Sequence, residues 1–122
     1  MSDSQIKWLD KPDDHDYPAA RSYLNLIYDN KRADSLIAKL KKAPVTQFKS
    51  KDIFRAARLP LLDKNNSHVA KDRDKIRAGK KISPILLVRD SDNGRLIIAD
   101  GYHRLCAVYS FDEDAVVPCK IV

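Results

Sequence analysis

Residues 83–100, SPILLVRDSDNGRLIIAD, constrain the fold more than any other stretch of the chain. SPILLVRD is a nearly continuous apolar run, the pattern of a central strand rather than of one that is wet on one face. DNG makes a turn, and RLIIAD reads as the returning strand.

Helical signals surround this hairpin. Pro18 suits a first helical turn, and AARSYLNLIYDN follows with Tyr23, Leu24, Ile27 and Tyr28 at helical spacing, closing at Asn30. ADSLIAKLKKA turns Leu36, Ile37 and Leu40 inward and ends in Lys39, Lys41 and Lys42, cations that complement the helix dipole before Pro44 stops it. VTQF, residues 45–48, is β-branched and short, as a strand. Ser50 is placed to cap a helical turn through KDIFRAARL, and LLDKNNS is a loop. Asn66 or Ser67 caps HVAKDRDKIRA, which stops at Gly79 in the expected position after a helix. YHRLCAVYS is the last helix, DEDAV an acidic, solvated loop, and VVPCKIV a final strand in which Pro118 implies an edge or an unpaired position. Residues 1–16 read as a loose arm with Trp8 and Leu9 docking on the body. Helices first, then mixed strands and helices, is the order of an α+β domain.

The chain's 122 residues suit one compact unit. Twenty-three Lys and Arg against 17 Asp and Glu give a net charge of +6, a surface that attracts nucleotides, nucleic acid or acidic proteins. No apolar run approaches the roughly 18 residues of a membrane span, and the polar N-terminus does not resemble a signal peptide, so a cytoplasmic protein without membrane association is expected. Cys106 and Cys119 lack metal-ligand spacing and are expected to be buried, reduced thiols, with no metal site built on them.

The chemistry-bearing stretch is IIADGYHRLCAVY, residues 97–109, where Asp100, Gly101, His103 and Arg104 mark the passage from strand to helix. A helix starting there directs free backbone N–H groups and partial positive charge outward, and Gly101 permits close approach or positive φ. Cations at a helix start oppose the macrodipole, a cost that an anionic ligand offsets. The junction after Ala99 thus reads as an electropositive notch shaped for phosphate. The alternative from the same residues is that Asp100 caps the helix, His103 satisfies a core hydrogen bond and Arg104 pairs with a surface acid.

KIRAGKKISPILLV, NGRLIIADGYHRLCA and VPCKIV occur in that order within residues 68–122, a succession that resembles the ParB/sulfiredoxin superfamily. VTQFKSKDI would be the first strand, and residues 1–43 fall outside the likeness as an arm and helical extension to a domain over 44–122. The resemblance implies a small mixed sheet packed with helices that binds a nucleotide: ATP in sulfiredoxins, ADP in free-serine kinases, CTP in ParB. It implies that Gly101, His103 and Arg104 lie against the phosphates, with His68, Lys71 and Lys75 supplied by the preceding helix. Lys71 and Lys75, four apart, share a helix face.

The departures narrow the activity. Tyr102 stands where sulfiredoxins carry a catalytic cysteine, so sulfinic-acid repair is not expected. The helix-turn-helix and dimerisation regions of ParB are not found in these 122 residues. Phosphoryl transfer or nucleotide hydrolysis, with Asp100 and His103 as candidate catalytic groups, is the reaction class implied. Asp52 and Asp100 are the carboxylates offered for Mg²⁺. Arg55 and Arg58 are further candidate anion contacts. The rival readings are a DNA-binding or nuclease-like module and a catalytically inactive interaction protein, with residues 1–43 either a dimer surface or a cover for one face of the core.

Overall fold

The computed structural model describes residues 6–122. Five helices surround a four-stranded mixed sheet: α1 (Asp16–Leu24), α2 (Asn30–Lys42), β1 (Thr46–Lys49), α3 (Ser50–Ala57), α4 (Ser67–Arg77), β2 (Ile85–Asp90), β3 (Arg95–Asp100), α5 (Tyr102–Phe111) and β4 (Val116–Ile121). The fold is small and α+β. The strand order is β1-β4-β2-β3, with β4 and β2 parallel and the two outer pairs antiparallel.

The apolar hairpin is buried on both sides because its side chains alternate between two cores. Ile85, Leu87 and Ile98 join Ile53 and Phe54 of α3, Val69 and Ile76 of α4, and Leu105 to Val108 of α5. Leu86, Val88, Ile97 and Ala99 meet Tyr17, Ala20 and Leu24 of α1 and Ala33, Leu36, Ile37 and Leu40 of α2. The N-terminal helices therefore cover one face of the sheet. The segment before them is anchored by backbone pairing, Leu9 N–H to Ile82 O and Ile82 N–H to Lys7 O at 2.9 Å each, with Trp8 bridging Ile82. Residues 1–5 of the expected arm lie outside the described residues.

Several local expectations change. The first helix stops at Leu24, and neither Tyr23 within it nor Ile27 beyond it is buried: they are 43% and 39% exposed. Asn30 begins α2 instead of closing α1, because the Asp29 carboxylate caps the Arg32 N–H. Ser50 does not cap α3: its hydroxyl donates to Glu113 O at 2.6 Å, tying α3 to the acidic loop. That loop is also held by the Lys51–Asp114 ion pair at 2.6 Å, so it is not simply solvated. β4 is an inner strand, and Pro118 is tolerated because pairing with β2 begins one residue later, at Cys119. Lys120 is buried beside it, its ammonium donating to Lys41 O at the end of α2. Both cysteines are buried and free, their thiols pushed upward by burial, Cys119 to about 11.

Two features of the hairpin position the site. Gly94 takes φ +62°, closing the turn that reverses the chain. The β2–β3 register then slips, pairing Leu86 with Asp100 and Leu87 with Ile98. Residues directly opposite share a face, so this one-residue bulge turns Asp100 to Leu86's side of the sheet, toward α1.

Candidate functional site

At the end of β3 a cavity of about 330 Å³ opens between the start of α5, the exposed face of α4 and the residues leading into α1. Asp100, Gly101, His103 and Arg104 line it together with His68, Lys71 and Lys75. Local rules explain the convergence. Asn66 caps α4 by accepting from the His68 and Val69 N–H groups, which sets His68, Lys71 and Lys75 along one face of that helix.

Gly101 sits just before α5 as its N-cap, its φ of +106° admitting glycine with little strain, and no side chain caps this helix. Asp100, the capping alternative, is drawn away to Arg104. The first helical bond runs from Leu105 N–H to Gly101 O. The N–H groups of Tyr102, His103 and Arg104 therefore lack helix partners, as at any uncapped N-terminus. Gly101 also admits a close approach, though from within the chain: an added Cβ would lie 2.5 Å from Ile85 Cδ1 and 2.9 Å from Arg104 Nη2.

Arg104 is largely spent inside the protein. Its Nε donates to Ser83 O at 3.0 Å, and its Nη2 to Pro84 O at 3.2 Å and to Asp100 Oδ2 at 3.0 Å. Asp16 Oδ2 lies 3.6 Å from the same nitrogen and accepts from the Ser83 hydroxyl. The guanidinium thus clamps two partly or wholly buried carboxylates to the loop before β2. Burial pushes the Asp100 carboxyl above its ordinary value, with Arg104 opposing.

The His103 ring makes no hydrogen bond among the described residues. It lies 4.8 Å from that of His68, and burial, followed by the neighbouring His68, holds its pKa below the usual imidazole value. Lys71 and Lys81 have no ion-pair partner among the described residues, and Lys75 has only a 4.0 Å contact with Asp72.

The wall is not uniformly electropositive. Four carboxylates, Asp13, Asp16, Asp72 and Asp100, face four cations, Lys71, Lys75, Lys81 and Arg104. The acids, apart from Asp72, gather toward α1, while the free lysines lie on α4 and just after it. Asp13, Asp16, His15 and Ser83 carry no local signal in the sequence, because nothing local links residue 16 to residue 104. Asp13, His15 and Asp16 bring their ligand atoms within 4.8 Å of one another. Asp52 and Asp100, the carboxylates offered for Mg²⁺, lie apart: Asp52 lines a different cavity at the far end of the hairpin. Arg55 and Arg58 are exposed on α3 and after it, and neither lines the site at α5.

No family model, no curated protein and no solved structure matches this chain.

Proposed function

We propose that the chain is a nucleotide-binding domain of the ParB/sulfiredoxin type, with ATP or ADP favoured over CTP, and that the phosphates occupy the cavity at the start of α5. The observation that carries this reading is the opposition, across one cavity, of the uncapped α5 N-terminus to Lys71 and Lys81 without ion-pair partners. Backbone N–H groups and lysines are the donors that phosphate oxygens require. Arg104, occupied by Ser83, Pro84 and Asp100, serves to hold the junction in shape and does not carry the ligand's charge.

Phosphoryl transfer or hydrolysis suits such a site, since this chemistry depends on positioning and charge more than on an elaborate nucleophile. His103, held neutral, is the group able to accept a proton, and Asp100 orients the clamp. Mg²⁺ needs only one or two carboxylates besides phosphate oxygens, and Asp13 and Asp16 fit that role better than Asp52.

Calorimetric titration with ATP, ADP and CTP in the presence of Mg²⁺ tests the reading. Exchanging Lys71 and Lys81 together for alanine weakens binding by about tenfold or more, the loss expected for charge-assisted hydrogen bonds. His103→Ala also weakens it. Absence of binding by the unmodified chain, or equal affinity in the lysine variant, refutes the assignment.

A further inference from the structure

The other end of the β2–β3 hairpin carries a second cavity, of about 450 Å³. The parallel strands β4 and β2 both run out there, at Ile121 and Arg89, and β3 begins there at Leu96 and Arg95. α3 is only eight residues long, about 12 Å of helix, and its Asp52, Ile53 and Ala56 form part of the cavity wall. Ile53 and Leu87 lie buried beneath its floor, 2% and 0% exposed. Leu96, Ile121 and the 40%-exposed ring of Phe48 extend an apolar surface to the mouth.

The mouth is cationic. Arg95 is occupied by Asp90, its Nε 3.0 Å from Oδ2. Arg89 is exposed and has no ion-pair partner among the described residues. Arg58, likewise without one, reaches the lip: its Nη2 lies 3.7 Å from where a Cβ on Gly94 would sit. Arg58 is also the one non-glycine with positive φ among the described residues, at 57°. A left-handed conformation is disfavoured for an arginine, yet it is this C-cap of α3 that brings the guanidinium over the turn. Asp52 is the single carboxylate among the lining residues.

We infer that this cavity binds a small organic anion with an apolar body and one carboxylate head. The body lies over Leu96, Ile121 and Phe48, and the head sits between Arg89 and Arg58. The volume falls within the range of about 300–1,000 Å³ typical of small-ligand sites, which are apolar with a few placed polar groups. Two unpaired guanidiniums over a hydrophobic floor match that ligand in both charge and polarity. The site is separate from the one proposed for nucleotide, and it stands or falls independently.

Octanoate, octan-1-ol and octylammonium, titrated into the full chain and followed by amide chemical shifts and calorimetry, test the assignment. Octanoate moves the amides of Gly94 and Leu96 and leaves those of Gly101 and His103 in place. The alcohol and the amine bind about tenfold more weakly or not at all. Arg89→Gln weakens octanoate by a similar factor without lowering the melting temperature. Arg58→Gly also weakens it while leaving the fold as stable or more so, because glycine accepts the positive φ. No saturable shift with octanoate at millimolar concentration overturns the proposal. So does equal affinity for octan-1-ol, or a response confined to Gly101 and His103.

Discussion

Arg104→Ala tests the clamp that shapes the site at α5. The guanidinium is 18% exposed and bonds two backbone carbonyls and one carboxylate, with a second carboxylate at 3.6 Å. Removing one partner of a buried pair costs about 3–5 kcal/mol. Asp100 retains 17% side-chain exposure and water can enter the cavity, so the lower end, about 3 kcal/mol, is the expected loss at neutral pH. That is a large share of the roughly 5–15 kcal/mol holding a domain together, yet the variant still folds. The loss also depends on pH. Burial raises the folded-state pKa of Asp100 above its ordinary 3.8 even with Arg104 present, and without the cation it rises further. A carboxyl with a raised folded-state pKa costs stability above that pKa and recovers it on protonation. The gap between variant and parent therefore narrows as pH falls from neutral to about 4.5. Urea unfolding followed by circular dichroism at the two pH values measures both quantities. A gap under about 1 kcal/mol at neutral pH, or one that ignores pH, means Arg104 does not clamp buried carboxylates.

Gly101→Ala places a methyl group against Ile85 and Arg104 at φ +106°, and denaturant unfolding should register a loss of about 2–4 kcal/mol; a change within about 0.5 kcal/mol contradicts the close approach. His68→Gln removes the second contributor to the lowered His103 pKa, so the His103 midpoint followed by NMR moves upward toward 6.5. In the parent, a depressed His103 pKa means stability is lost as pH falls below that ordinary value, and an unmoved midpoint in the variant separates the two rings electrostatically. Asn66→Ala deletes the α4 cap, whose oxygen serves two N–H groups, and lowers stability by about 1 kcal/mol in thermal or denaturant melts. Ellman's reagent at mildly alkaline pH titrates neither Cys106 nor Cys119 in the folded chain and both after unfolding, since both thiols are buried and their pKa values raised.

Signals that act within a turn of helix or a hairpin were legible in advance. The Asn66 cap, the stop at Gly79, the turn at Gly94 and the helix start after Gly101 depend on side chains and backbone dihedrals within four residues of each other. The same short range explains why Asp100, Gly101, His103 and Arg104 share one surface, and why His68, Lys71 and Lys75 share another. It also explains the errors at Asn30 and Ser50. Each is a good capping type, but Asp29 already satisfied the start of α2, and the carbonyls near residue 113, distant in sequence, claimed the Ser50 hydroxyl.

From the residue order alone came an α+β chain with a buried hairpin and a polar strand-to-helix junction. Tertiary structure decided that β4 lies inside the sheet, that α1 and α2 cover one face of it, and that a bulge at Leu86/Leu87 turns Asp100 toward Asp16. It also divided the candidate residues between two cavities at opposite ends of one hairpin, leaving Asp52 away from Asp100. Strand order, register and the meeting of Arg104 with Asp16 are set by burial of surfaces far apart along the chain, and such surfaces acquire partners only when the whole sheet is assembled.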